Sequence, residues 1–297
     1  MKERIITPLI PFRKLIALTL IGGVLACFTQ SAQSVVSPAD GVVGELPGVT
    51  QRYDFNSDGH PDFVLNAGPA TGIWYLDGNV FLSGALAPTL PPFGWRLIDA
   101  ADFNGDRHPD YALFNNSTGQ TAIWYLNNSV FISGAYGPTV PAGWALVAVG
   151  DFNLDGKPDY VLYNQNTRQT AIWYLNNNVL LSAGFGPTLP FLWQLVGTAD
   201  FDLDGRADYL LFNTNTGQTA IWYMSGRTRV GAAFGPGVGV TFYQLKGAAD
   251  YSGEGYPDYI LFNISTHQTL ILFLHNNVSV GSAFGPTPPA DWTLTLP

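Results

Sequence analysis

The stretch Asp151-Phe152-Asn153-Leu154-Asp155-Gly156-Lys157-Pro158-Asp159 constrains this chain more than any other. Oxygen-bearing side chains stand at its first, third, fifth and ninth positions, and a glycine at its sixth. Alternate residues of a tight loop can aim their oxygens at one centre, and glycine permits the sharp turn. A hard cation such as Ca²⁺ takes about six to eight oxygen ligands at ~2.3–2.6 Å, so the pattern predicts a calcium loop. The stretch recurs, with variations, at Asp54, Asp102, Asp200 and Asp250.

The recurrence sets the architecture. The first loop aspartates lie 48, 49, 49 and 50 residues apart. Trp74, Trp124, Trp173, Trp222 and Leu272 keep the same period, as do Trp95, Trp144, Trp193, Tyr243 and Trp292. A period of this size indicates a propeller, a solenoid or an array. Within the third unit, Trp144–Gly150 reads as a strand running into the loop. Tyr160–Tyr163, Thr170–Leu175 and Val179–Ser182 follow as three more, rich in β-branched and aromatic residues. Asn176-Asn177 and Asp77-Gly78 tolerate the positive φ that hairpin turns need. Gly186-Pro187-Thr188-Leu189-Pro190 then crosses to the next unit, outside the sheet, because proline donates no ladder hydrogen bond.

Four antiparallel strands cannot bury both faces alone, whereas blades stacked around an axis bury them all. The expectation is an all-β, five-bladed β-propeller of four-stranded antiparallel blades, about 49 residues per repeat. An open array is the alternative. The first unit offers Val49-Thr50-Gln51-Arg52-Tyr53 in place of a Trp-led strand, and the chain ends on Trp292-Thr293-Leu294-Thr295-Leu296-Pro297. The terminal strand is therefore expected to pair with the first blade and latch the ring.

Five metal sites are expected. The first takes Asp54, Asn56, Asp58, the His60 carbonyl and Asp62. The second takes Asp102, Asn104, Asp106, the His108 carbonyl and Asp110, with Arg107 in the turn glycine's place. The third takes Asp151, Asn153, Asp155, the Lys157 carbonyl and Asp159. The fourth, most negative, takes Asp200, Asp202, Asp204, the Arg206 carbonyl and Asp208. The fifth takes Asp250, Ser252, Glu254, the Tyr256 carbonyl and Asp258. It is the weakest or empty, since serine is a poorer ligand and Glu254 is a methylene too long. None has the EF-hand's bidentate twelfth-position Glu, which places affinity on the order of 10⁻⁴–10⁻³ M, the range of extracellular modules. The metal-free alternative is a set of Asx-turns.

At these residues the chain resembles the FG-GAP/VCBS-type calcium repeat of integrin α-subunit propellers and of many exported bacterial proteins. The matching text is Asp-Phe-Asn-x-Asp-Gly-x-Pro-Asp-Tyr and then Gln-Thr-Ala-Ile-Trp-Tyr-Leu, over residues 50–297. The resemblance implies a calcium-stabilised propeller and is compatible with adhesion, sugar binding or scaffolding. Repeat length and number are also similar to those of tachylectin-type five-bladed lectins.

Composition agrees. Charged residues are only 12%, and the net charge of −9 comes largely from the five loops, which hold 16 of the 22 Asp and Glu. Five Ca²⁺ would offset that charge. Acidity without a basic stripe argues against a nucleic-acid partner.

Lys2, Arg4, Arg13 and Lys14 precede an apolar run, Leu15–Ala26, which reads as an export signal too short to span a bilayer. Residues 1–34 are the expected signal peptide, cleaved near Ser34, and 35–49 a linker. Val24-Leu25-Ala26-Cys27 resembles a lipobox, so the alternatives are a lipid anchor at Cys27 or an uncleaved anchor. The mature chain is expected to have no transmembrane span and to be secreted or held at the cell surface. Cys27 is the one cysteine, so no intrachain disulfide can form.

No catalytic constellation stands out. The four histidines lie in metal loops or beside turns, and the few carboxylates outside the loops form no pair of the kind glycosidases need. The expectation is a non-enzymatic binding or adhesion module for glycan or extracellular protein. A structural envelope protein and a polysaccharide-acting enzyme are the alternatives. Trp74, Trp124, Trp173 and Trp222 alternate with tyrosines and serve either blade-to-blade packing or a sugar cleft. Trp95, Trp144 and Trp193, with the Gly-Pro crossovers, are the better candidates for a cleft.

Overall fold

The computed structural model describes residues 52–239 and 241–296. The expected signal, Cys27 and the linker lie outside them. The described chain is all-β, with no helix, and forms five four-stranded antiparallel blades.

Blade 1 holds β1 (Phe63–Ala67), β2 (Ala70–Asp77) and β3 (Val80–Ala87). Blade 2 holds β4 (Trp95–Ala101), β5 (Asp110–Asn115), β6 (Gln120–Asn127) and β7 (Val130–Thr139). Blade 3 holds β8 (Trp144–Gly150), β9 (Asp159–Asn164), β10 (Gln169–Asn176) and β11 (Val179–Thr188). Blade 4 holds β12 (Trp193–Ala199), β13 (Asp208–Asn213), β14 (Thr219–Trp222) and β17 (Ala233–Phe234), with the small hairpin β15 (Met224–Ser225) and β16 (Thr228–Arg229) between the last two. Blade 5 holds β18 (Tyr243–Ala249), β19 (Asp258–Asn263), β20 (Thr269–His275) and β21 (Val278–Phe284).

The last strand, β22 (Thr293–Leu296), completes blade 1 as expected. It pairs with β1 through Val64↔Leu296, Leu65↔Leu294 and Asn66↔Thr293. Arg52 and Tyr53, read from sequence as part of a blade-1 strand, lie instead in a turn. Strands β22, β4, β8, β12 and β18 each contact the next around the circle, and β18 contacts β22, so the ring is closed.

Two crossovers depart from expectation. Strands β7 and β11 run on through Pro138 and Pro187 to Thr139 and Thr188. These are outer strands, where a missing N–H faces no partner. Side chains replace the ladder: Thr170 Oγ1 donates to the Pro187 carbonyl at 2.7 Å, and Gln169 Nε2 to the Gly186 carbonyl at 2.5 Å.

The core lies between blades. The second loop residue inserts into each seam and meets, edge-on, the ring that follows the next blade's ninth-position Asp. Phe55 meets Tyr111 at 6.0 Å and Phe152 meets Tyr209 at 5.8 Å. At the closing seam the types are exchanged, with Tyr251 against Phe63 at 5.6 Å. Such edge-to-face pairs add ~0.5–1.5 kcal/mol beyond burial.

A polar tie crosses the inner strands. Arg52 Nη2 donates to Asp99 Oδ2 at 2.7 Å and Nη1 to the Thr198 carbonyl at 2.6 Å. Asp99, buried in β4, also accepts from Tyr53 Oη at 2.6 Å and from the Val149 amide of β8 at 2.9 Å. Residues just ahead of the first loop thus bind the inner strands of blades 2 and 4, and Asp99 extends the network to blade 3.

Candidate metal loops and aromatic clefts

Each loop leads from its blade's inner edge to the blade's second strand and folds around its own side-chain oxygens. In the first, Asp54 accepts from the amides of Asp58 at 3.1 Å and Gly59 at 2.9 Å. Asn56 Oδ1 accepts from the Asp58 amide at 3.1 Å, and Asp58 Oδ1 from the His60 amide at 3.0 Å. The pattern repeats at Asp102, Asn104 and Asp106, at Asp151, Asn153 and Asp155, and at Asp200, Asp202 and Asp204. In the fifth loop Asp250 keeps its amides, from Gly253 at 2.8 Å and Gly255 at 2.7 Å. Ser252 turns its hydroxyl to Asp250 at 3.2 Å, and Glu254 is exposed.

The ninth-position aspartates behave differently. Asp62, Asp110, Asp159, Asp208 and Asp258 are at most 1% exposed. Each accepts from its own loop and from the chain beyond the second strand: Asp159 takes Phe152 N at 3.1 Å and Leu175 N at 3.0 Å, Asp208 accepts from Met224 of β15, and Asp258 accepts two loop amides, those of Tyr251 and Ser252. They stitch loop to sheet. Burial pushes the carboxyls of Asp62, Asp110 and Asp159 up to about 7, Asp208 to about 8 and Asp258 to about 6, against the pull of those amides.

The donor set suits a hard divalent cation. Every loop offers oxygens only, and carboxylates retain lone pairs after accepting amides. In the fourth loop, ligand oxygens of Asp200, Asp202 and Asp208 lie within 4.8 Å of one another, the one such carboxylate triad among the described residues. The first three loops carry Asn in place of Asp202, with an amide oxygen as the donor. His60 and Tyr256 send their side chains elsewhere: His60 Nε2 lies 3.6 Å from Asp77 Oδ1, and the Tyr256 ring 4.0 Å from that of His275.

Two loop positions adopt positive φ, where the sequence suggested one. The sixth holds Gly59, Gly156, Gly205 and Gly255 at φ 75–96°, and Arg107 at 71°. The fourth holds Ser57, Leu154 and Leu203 at 60–63°, and Gly105 and Gly253 at 80° and 73°. A left-handed non-glycine residue costs roughly 1–2 kcal/mol. Arg107→Gly is therefore expected to raise stability by about 1 kcal/mol, read as a higher denaturant midpoint with unchanged slope.

The tryptophans divide. Trp173 and Trp222 are buried and Trp74 and Trp124 half-buried, which suits packing. Trp95, Trp144 and Trp193, at the start of inner strands, reach across their blades to outer-strand rings. Trp144 stacks on Phe185 at 6.0 Å, Trp193 on Phe234 at 6.2 Å, and Trp95 approaches Tyr136 at 6.3 Å. Those outer rings are 69–73% exposed. On blade 2 a cleft of about 250 Å³ is lined by Pro91, Trp95, Trp124, Phe131 and Tyr136. Gly134 in β7 leaves room for Trp124: a Cβ there would lie 2.8 Å from the indole.

Tyr75, Tyr125 and Tyr223 each donate to an asparagine at the next blade's hairpin, Asn128, Asn177 and Asn276, the last two at 2.5 Å. Sequence reasoning missed these ties and the Asp99 network. The tyrosine–asparagine ties had a signal in their recurrence at the repeat period; Asp99, whose counterparts are Ala148, Gly197 and Gly247, had none.

No curated protein matches the sequence. Solved structures with partial likeness include a protein of unknown function from Bacteroides caccae, with 14% identity over 75% of this chain and 73% of that one and a TM-score of 0.40. The Photorhabdus luminescens Tc holotoxin pore shares 14% over 80% of this chain and 12% of its own, TM-score 0.42. The V. cholerae biofilm matrix protein Bap1 shares 16% over 78% and 38%, TM-score 0.27. The FG-GAP-like repeat matches residues 54–113, 102–162 and 151–211, just over half of the 297-residue chain, and each match begins on the first aspartate of a loop. With its five blades built on that unit, the chain belongs to the FG-GAP-like repeat family.

Proposed function

We propose that this propeller is an exported binding module, stabilised by calcium in its loops, that recognises glycan or extracellular protein. The carrying observation is the aromatic pair repeated on three consecutive blades, Trp95/Tyr136, Trp144/Phe185 and Trp193/Phe234, each with an exposed outer ring. Such rings offer flat apolar surface to sugar faces at little entropic cost. Repeated weak clefts would act together through multivalency. Calcium would occupy the oxygen-lined loops, with the fifth bound least well for want of a third-position carboxylate or amide. The leader-like residues 1–34 support export, to the medium or to a surface anchor at Cys27.

The exposed outer strands favour a second reading, a structural envelope protein that packs against other proteins. Leu82, Ile132, Leu181 and Val280 are 54–61% exposed. A glycan array probed with the calcium-loaded protein separates the two. The module reading expects binding to a subset of glycans, lost on Trp144→Ala or Trp193→Ala with the melting temperature retained. No glycan bound at any density would favour the structural reading.

A further inference from the structure

Among the described residues, the seam between blades 3 and 4 is the one with neither of the two hairpin ties that the other seams use singly or together. At the hairpin position that follows the positive-φ residue, blades 1, 3 and 5 carry Asn79, Asn178 and Asn277. Each donates at 3.0 Å to a carbonyl of the preceding blade's outer strand, on Phe284, Tyr136 and Phe234 respectively. Blade 4 has Arg227 there, and Arg229 where blades 1 and 2 have phenylalanine. Its positive-φ residue is Gly226, so Tyr174 of blade 3 lacks the asparagine that Tyr75, Tyr125 and Tyr223 find.

Blade 3 is altered to match. Before the outer-strand aromatic or leucine, the other blades carry Ala85, Ala135, Ala233 and Ala283, whereas blade 3 carries Gly184. A Cβ at 184 would overlap the Arg227 guanidinium, lying 2.6 Å from its Cζ. Arg227 lies in space that only this glycine leaves.

The two guanidiniums are held by aromatic faces. Arg227 Cζ lies 5.3 Å from the Tyr174 ring centroid and Arg229 Cζ 4.4 Å from that of Trp222. Both line a cavity of about 440 Å³ that also touches Pro187, Thr188 and Thr228. Arg52 and Arg206 are paired with Asp99 and Asp204, but Arg227 and Arg229 make no ion pair among the described residues. In a chain of net charge −9, two carboxylate-free arginines facing one groove concentrate positive charge there. Arginine's planar fork matches carboxylate and sulfate oxygens, and cation–π stacking restrains the fork without consuming its in-plane donors.

We propose that the groove between blades 3 and 4 binds an acidic saccharide, with its carboxylate or sulfate held by Arg227 and Arg229. Thr188 and Thr228 supply hydroxyls for the ring's own. The proposal rests on the binding-module reading and gives it a ligand class.

The test is titration calorimetry of the full calcium-loaded chain with four probes: hyaluronan oligosaccharides, their methyl esters, dextran sulfate and dextran. The acid is expected to bind at least tenfold more tightly than its ester, with affinity falling as salt is raised. Arg227→Gln with Arg229→Gln should abolish that preference. Gly184→Ala keeps every charge and installs the residue the other four blades use. It should weaken acid binding at least threefold by displacing Arg227. Arg96→Gln, an exposed arginine on β4, should change nothing. Dextran sulfate bound in the same arginine-dependent way, with hyaluronan unbound, would support the site and name sulfate as its anion. Equal affinity for acid and ester with no arginine-dependent sulfate binding, or a preference that survives the double variant, would overturn the site. Neutral sugar bound alone would remove this site and leave the module reading standing; no probe bound, with an empty glycan array, would remove both.

Discussion

Deleting residues 292–297 is expected to cost the propeller most of its stability. The deletion removes β22, the inner strand of blade 1, and with it the pairings to Val64, Leu65 and Asn66. Leu294 and Leu296 are 1% and 5% exposed and sit in the core that blade 1 shares with its neighbours. Burial of two leucines is worth roughly 3–6 kcal/mol, against a total stability of about 5–15 kcal/mol for a domain. Thr293 and Thr295 would also leave the Asn66 Oδ1 they reach at 2.8 and 2.6 Å. The melting temperature should fall by roughly 10–20 °C, or the cooperative transition should vanish. A synthetic peptide spanning residues 290–297 should restore part of the loss at high concentration, because the vacated strand position is a templated edge. An unchanged melt would mean that the ring does not depend on this strand.

The second large effect concerns pH in the absence of calcium. The five buried ninth-position carboxyls are raised by burial to about 6–8, against ~3.9 for an unfolded aspartate. Between about pH 4 and pH 8 the folded chain therefore holds protons that the unfolded chain has released. Stability in chelating buffer is then highest at the acid end of this window and falls as pH rises through the folded values. A divalent cation favours the ionised form and should reverse the trend, so the calcium-loaded protein gains on its chelated form as pH goes from 5 to 8. Melts across that range, with calcium and with chelator, check it. Two superimposable curves would contradict it.

Much of the fold is legible in the sequence. The loop text and three independent markers at one period gave five blades, and Trp292 fell where a sixth inner strand was due. What stayed hidden depends on residues far apart in the chain. Arg52 meets Thr198 across 146 positions and Asp99 across 47, and no local pattern marks such pairs. Phe152 and Tyr160 read as an ordinary loop and an ordinary strand residue, and only the seams show each ring against a ring of a neighbouring blade. Pro187 reads as a breaker unless its strand is known to be the outer one. The positive φ of Leu154 is invisible because a leucine gives no turn signal. The candidate metal loops are legible as oxygen donors at the right spacing, and their fit to a cation rests on that chemistry together with the burial of the ninth aspartate.

The most direct test of the central claim, that divalent ions in the loops stabilise the wheel, is a calcium count paired with a melt. Chelator-stripped protein would be dialysed against calcium, then analysed for bound metal and melted at pH 8 with magnesium as control. The account predicts four or five calcium ions per chain and a calcium-specific rise in melting temperature. No bound calcium, and a melt indifferent to chelator, would contradict it.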